Sequence, residues 1–183
     1  NRMDEASLKQ MEEIQQILRK RIYSVALPEH VVLDVDTTLF TAYGKQEDAA
    51  FNYHYQANGY HPLLCFDGMT GDLLKVELRP GSMYCCKGAA AFMRPLLEEY
   101  QKEYPDTALF LRGDSGFATN ELYSLCETNG TSYVIRLKEN SVLRGLASEL
   151  DAQLYDMTKD DIVSYAVVYG EFEYKAGSWD YPR

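Results

Sequence analysis

His30-Val31-Val32-Leu33-Asp34-Val35-Asp36 is the stretch on which the fold turns. It is apolar and rich in β-branched residues, so it reads as a strand. Strand side chains alternate between faces, which puts Val31, Leu33 and Val35 on one side and Val32, Asp34 and Asp36 on the other. The first face suits a core. The second carries two carboxylates at the end of an otherwise buried-looking strand, and that is costly unless they are paired or hold a cation.

Upstream, Leu8, Met11, Ile14, Ile17 and Leu18 recur at three- and four-residue spacing and predict a helix from about Asp4 to Arg21. Asp4 is a candidate N-cap. Arg19, Lys20 and Arg21 suit the negative end of the helix dipole, as a solvated helix end or, less simply, a DNA contact. Pro28 separates this helix from the strand.

Downstream, Leu39 to Tyr43 reads as a second strand. A polar, aromatic loop follows through Phe51 to Tyr60. Pro62 to Phe66 and Leu73 to Leu78 flank a Gly- and Asp-rich turn and form a hairpin. Gly88 to about Glu103 reads as a helix, with Pro95 predicting a kink or a late start. Ala108 to Leu111 is a short strand leading into Arg112-Gly113-Asp114-Ser115-Gly116-Phe117, where Gly116 is read as permitting a tight turn. Thr119 caps a helix from Asn120 to Thr128, and Tyr133 to Leu137 is another strand. Val163 to Tyr174 has the look of a long strand. The order is three antiparallel strands, helix, strand, helix, strand. That is the layout of a ribonuclease-H-like mixed α/β sheet, with an acid on its first strand and another just after its fourth.

Composition sets the bounds. With 183 residues and 46% hydrophobic content, the chain can bury one sizeable core but not two. No apolar stretch approaches the ~18 residues of a membrane span. Lys and Arg number 18 against 28 Asp and Glu, a net charge of −10. This argues against a dedicated DNA-binding module, which carries a basic patch, and leaves room for an enzyme core that needs acids for metal. Cys65, Cys85, Cys86 and Cys126 lack the C-x-x-C pairs of a zinc site and read as reduced thiols. The chain does not begin with Met, so a fragment is expected.

Two sharp readings attach to Asp34-Val35-Asp36-Thr37-Thr38. As D-x-D-x-T it resembles the opening motif of haloacid-dehalogenase-like phosphatases, which would make Asp34 a nucleophile and Asp36 a general acid/base. That family's later G-D-x-x-x-D is incomplete, because Ala118 follows Gly113-Asp114 where the second Asp belongs. The other reading takes Asp36 and Asp114 as the first two acids of a metal-dependent phosphoryl-transfer site, where two divalent ions about 4 Å apart serve a phosphodiester. Gly113-Asp114-Ser115-Gly116 also resembles the nucleophile segment of trypsin-like proteases, but none of His30, His54 and His61 stands in a matching context. A non-catalytic remnant, with the aspartates as caps, is the bland alternative.

Six stretches, in order, resemble bacterial insertion-sequence transposases of the cut-and-paste type, in DDE group 1. They are Asp34 to Thr38, Tyr43-Gly44-Lys45-Gln46-Glu47, Gly59-Tyr60-His61-Pro62-Leu63, Leu78-Arg79-Pro80-Gly81, Arg112 to Phe117, and Tyr133 to Lys138. The resemblance implies a ribonuclease-H-like catalytic core. It implies catalytic and metal-binding roles for Asp36 and Asp114, with Asp34 a further candidate ligand, and a two-metal site for Mg²⁺ or Mn²⁺. It implies DNA contacts, for which Arg112, Arg136 and Lys138 are candidates, although each could equally pair with surplus acids. Tyr53, His54, Tyr55, Tyr60 and His61 read first as loop packing and second as a DNA surface. Transposon ends and target DNA would be the partners, with a dimer in the full-length synaptic complex, no membrane, and a cytoplasmic, nucleoid-associated location. The expected organisation is a helical lead-in over 1–28, the core over 29–145, and the start of a β-rich insertion over 146–183. The family's third acid, a Glu, has no match here and is expected beyond Arg183, so the fragment is expected to be inactive alone.

Overall fold

Strand β1, His30–Thr37, sits at the centre of the main sheet, and its burial alternates as the side-chain pattern requires. Val31 and Leu33 are fully buried and Val35 nearly so. The computed structural model describes residues 4–159 and 165–183. Its chain divides into two compact units, Asn1–Arg136 and Leu137–Arg183.

In the first unit, β1 pairs antiparallel with β5 (Leu63–Asp67), which pairs antiparallel with β6 (Leu73–Glu77). On its other side β1 pairs parallel with β7 (Ala108–Gly113), and β7 pairs parallel with β8 (Ser132–Ile135). The order β6-β5-β1-β7-β8 is the expected ribonuclease-H-like mixed sheet. Two helices cover one face: α2 (Ala89–Glu103) supplies Phe92, Met93, Leu96, Leu97 and Tyr100, and α3 (Asn120–Thr128) supplies Leu122, Leu125 and Cys126. Thr119 does cap α3, its hydroxyl accepting from Leu122 N at 3.3 Å. On the opposite face Phe110 and Val134 are 39% and 69% exposed, so the sheet is apolar-packed on one side only.

Several elements depart from the sequence reading. Leu39–Tyr43 does not join the main sheet. Only Phe40–Thr41 (β2) is strand, and it belongs to a separate small sheet with β3 (Ala50–Asn52) and β4 (Ala57–Tyr60), in the stretch read as a loop. The turn between β3 and β4 is organised by Asn52, whose side-chain oxygen accepts from the amides of His54 and Tyr55. Helix α1 runs from Glu5 to Val25, with Asp4 as N-cap, so Arg19 to Arg21 lie inside it and its last turn carries no basic residue. Arg19 is not solvated either: it is buried and donates to Glu99 of α2 at 2.6 Å. Pro95 lies within α2, which begins at Ala89 with no late start.

The second unit begins with two helices the sequence left unclear, α4 (Ser141–Leu146) and α5 (Ser148–Thr158). Val163 and Ser164 lie outside the described residues, and 165–174 forms no strand. Its alternating Val, Tyr and Phe favour a strand, but strand propensity acts only through pairing, and no strand is formed among the described residues of this unit. Instead Tyr174 and Arg183 exchange backbone hydrogen bonds at 2.9 Å, with Trp179 buried edge-on to Tyr174.

Candidate active site at the carboxyl edge of the sheet

The parallel register of β1 and β7 pairs Asp34 with Arg112 and Val35 with Gly113. Val35 with Gly113 is the last pair of the register: Asp36 follows within β1, and Asp114 follows just past the end of β7. Neighbouring strands lie about 4.8 Å apart, so this pairing brings two chain segments that stand far apart in sequence to the same edge of the sheet. Both residues are exposed, at the carboxyl end of the central parallel pair. Both aspartates that the sequence reading singles out stand at this edge.

Each carboxylate is oriented by its own backbone. Asp36 Oδ1 accepts from Thr37 N at 2.7 Å. Asp114 caps a 3₁₀ turn over Ser115–Phe117, its Oδ1 accepting from Gly116 N at 2.8 Å. Among the described residues no donor reaches Oδ2 of either, and no ion pair neutralises either group. Two carboxylates at one edge of a sheet, with no cation of the protein paired to either among the described residues, suit a bound cation.

Asp34, two residues earlier on β1, is held differently. The Arg112 guanidinium forks onto it, Nε donating to Oδ1 at 2.5 Å and Nη2 to Oδ2. The fork also raises the Arg112 pKa, through the hydrogen bond first and the charge second. Of the two readings of Arg112, the pairing with an acid is the one present. Asp34 has both oxygens engaged, and its strand lies antiparallel to β5. The all-parallel sheet that the phosphatase reading requires is absent from the first unit, and that reading falls with it.

The loop behind Asp114 is built by residues that sequence reasoning flagged only as family stretches. Arg79 is 4% exposed. Its Nε donates to His61 O at 3.0 Å, and Nη1 reaches the carbonyls of Tyr84, Cys85 and Lys87, the last at 2.7 Å. Burial pulls its pKa down. His61, itself buried, bonds through Nδ1 to Met83 O at 2.8 Å, so its role is packing of this loop. The loop carries Cys85 to the Asp114 turn, where a Cβ on Gly116 would meet Cys85 Sγ at 2.6 Å and Asp114 Oδ1 at 3.0 Å. A side chain at Gly116 would make Cys85 or the Asp114 carboxylate give way, and its φ is not in the left-handed region. Gly81 is equally obligate: a side chain there would strike the carbonyl oxygens of Ala50 and Gly59, which ties the small sheet to the same loop. A buried guanidinium serving four carbonyls leaves no periodic trace in a sequence.

Arg136 is exposed, its amide donating to Gly113 O at 3.2 Å. Lys138 is exposed and belongs to the second unit. As to metal, carboxylate oxygens are the hard ligands that Mg²⁺ and Mn²⁺ take, and such ions keep several waters, so the pair fits in kind. Among the described residues no group of three or more His, Cys, Asp or Glu is placed to hold an ion. No helix among them is long and apolar enough to cross a membrane.

The family described as transposase DDE domain, group 1, matches over residues 1–183. No curated protein matches the chain. Among solved structures, the chain is similar to the catalytic domain of Mos1 mariner transposase, at 14% identity and a TM-score of 0.43, covering 88% of this chain and 76% of that one. It is similar to the catalytic core domain of BIV integrase at 15% identity and a TM-score of 0.40, covering 70% and 68%. It is similar also to the Mos1 transposase paired-end complex with left transposon end, at 11% identity and a TM-score of 0.41, covering 88% of this chain and 57% of that one. Enzymes of the matching family use divalent metal ions. With the family matching from end to end, the mixed sheet in its expected order and an acid at each of the two expected strand ends, the chain belongs to the group 1 DDE transposases and forms a catalytic core of these polynucleotidyl transferases.

Proposed function

We propose that Asp36 and Asp114 are catalytic and hold Mg²⁺ or Mn²⁺ for cleavage of DNA at transposon ends and transfer of the freed 3′-hydroxyl to target DNA. One observation supports this reading: β1 and β7 pair in parallel, and Asp36 near the end of one and Asp114 just past the end of the other are exposed and, among the described residues, without a protein cation. Divalent ions bound there would activate the attacking oxygen and stabilise the leaving one. The chain's own share is to hold two carboxylates at fixed spacing. The Thr37 and Gly116 amides each hold one Oδ1, and the two carboxylates would be the ligands through which the chain holds the ion. The carboxylates bind metal in this scheme and form no bond to substrate, so no covalent protein intermediate is involved.

Arg136 and Lys138 are candidate phosphate contacts, since both are exposed. Arg112 is spent on Asp34, and the pair would act as positioning residues beneath the site. Two copies acting on a pair of ends, at the bacterial nucleoid, complete the proposal. Residues 146–183 are read as the start of an insertion into the core, opening in this chain with α5.

The test is a crystal soaked in Mn²⁺ and read by anomalous density, paired with DNA cleavage by the transposase that carries this domain. A peak touching both carboxylates is expected, lost in Asp36→Asn and in Asp114→Asn. Each substitution should cut cleavage about a hundred- to a thousandfold, on the order of what loss of a transition-state electrostatic group costs. Cleavage retained by either variant would sink the assignment.

A further inference from the structure

Two adjacent thiols stand beside the Asp114 turn, outside the proposed chemistry. Cys85 and Cys86 are free and half-buried, whereas Cys65 and Cys126 are buried. Cys85 reaches the turn directly: its Sγ donates to the Gly116 carbonyl at 3.8 Å. Gly116 is also the residue whose amide donates to Asp114 Oδ1 at 2.8 Å. The Cys86 side chain is hydrogen-bonded to that of Cys85, so the two sulfurs form a pair.

The pair is held in place from behind. Buried Arg79 donates through Nη1 to the carbonyls of Cys85 at 3.3 Å and Lys87 at 2.7 Å, which fixes the backbone on both sides of Cys86. Nη2 of the same guanidinium is buried and has no partner among the described residues, so a donor is left open near Cys85. On the side of the turn there is no slack. A Cβ on Gly116 would come within 2.6 Å of Cys85 Sγ and 3.0 Å of Asp114 Oδ1. A group bonded to that sulfur therefore competes for space with the segment that orients Asp114.

We propose that Cys85 is a modification site, where exchange with a low-molecular-weight disulfide of the glutathione class leaves a mixed disulfide that displaces the Asp114 turn and shuts the metal site. The Cys85 sulfur attacks one sulfur of the incoming disulfide. A new S–S bond forms as the old one breaks, and the released thiolate takes up a proton that matches the one Cys85 gives to solvent. Amide and carboxylate oxygens of the bound half offer acceptors to the open Arg79 donor. Excess free thiol runs the exchange backwards. Closure of the metal site rests on the catalytic reading of Asp114; displacement of the turn does not.

Treating the 183-residue chain with oxidised glutathione and then with dithiothreitol tests it. Peptide mass spectrometry should place the mixed disulfide on Cys85 and none on Cys65 or Cys126. The amides of Gly116 and Phe117 bond to Asp114 Oδ1 and to the Asp114 carbonyl. Their hydrogen exchange should quicken about tenfold or more in the modified chain and return on reduction. Calorimetric titration should show Mn²⁺ affinity weakened about tenfold or more, likewise restored, which is a cost of about 1.4 kcal/mol. Cys86→Ser should keep both responses. Cys85→Ser should lose both, while its untreated Mn²⁺ affinity and melting stay those of the wild type. An untreated chain that binds no Mn²⁺ would count against the metal reading, and exchange at Gly116 would then decide this proposal alone. A Cys85 that takes no glutathione, a modified chain whose Gly116 amide exchanges as before, Mn²⁺ affinity untouched by the modification, or a Cys85→Ser chain that still responds would each overturn it.

Discussion

Asp34 and Asp36 share one face of one strand, yet they meet different fates because their neighbours on β7 differ. Asp34 stands beside Arg112, whereas Asp36 lies beyond the last residues paired to β7, Val35 and Gly113. A carboxylate with both oxygens in an arginine fork has little left to offer a metal. Asp34→Asn should therefore leave Mn²⁺ binding in place and lower the melting temperature only slightly, the pair being partly open to solvent. Isothermal titration with Mn²⁺ beside a melting curve checks both. The thiols offer a second reading at this scale. Burial pushes Cys65 and Cys126 up from 9.0 to about 12, whereas Cys85 and Cys86 are only half-buried. Both buried thiols stay protonated in the folded chain after the unfolded chain has begun to ionise above pH 9. The unfolded state then binds fewer protons, and stability falls as pH rises from 9 towards 12. Melting temperature against pH should show this loss. Mass spectrometry after brief alkylation near neutral pH should show label on Cys85 and Cys86 and none on Cys65 or Cys126.

At the scale of elements, the main sheet and the small sheet are held by different physics. The main sheet rests on apolar burial: Leu33, Leu63 and Leu111 are fully buried under α2 and α3. Leu33→Ala should cost about 2–5 kcal/mol in urea unfolding, the range for a buried leucine whose site cannot collapse. The small sheet and the loop after β6 rest on hydrogen bonds to carbonyls, centred on Arg79 and on Asn52, which donates to Gly81 O at 2.8 Å. Arg79→Met keeps the stem but strands those carbonyls, and should cost about 3 kcal/mol, the scale of charged hydrogen bonds lost in a buried site. This difference explains what was legible. Leu33, Leu96 and Leu122 announce themselves by period. Ala57–Tyr60 and Ala50–Asn52 do not, because two- to four-residue strands carry too few alternations to register, and only their pairing makes them strands.

At the scale of the molecule, protection against opening should follow burial. Helix α5 has no buried residue, whereas the core strand β1 has three. Amide exchange should therefore be at least a hundredfold faster across Ser148–Thr158 than across Val31–Val35, an ordering that hydrogen exchange read by mass spectrometry would show directly. The sequence by itself determined which face of β1 is core, the alternation of helices and strands from Gly88 to Leu137, and the two aspartates worth pairing, since each of these is written in local periodicity or in residue type. Only the tertiary structure decided that β1 lies parallel to β7 with Val35 opposite Gly113, that Arg112 is spent on Asp34, that Arg79 is a buried hub and that α1 turns its apolar side outward. Those outcomes depend on which distant segment lies alongside. Strand register and helix docking are settled by the summed burial of the whole chain, and no local window contains that sum.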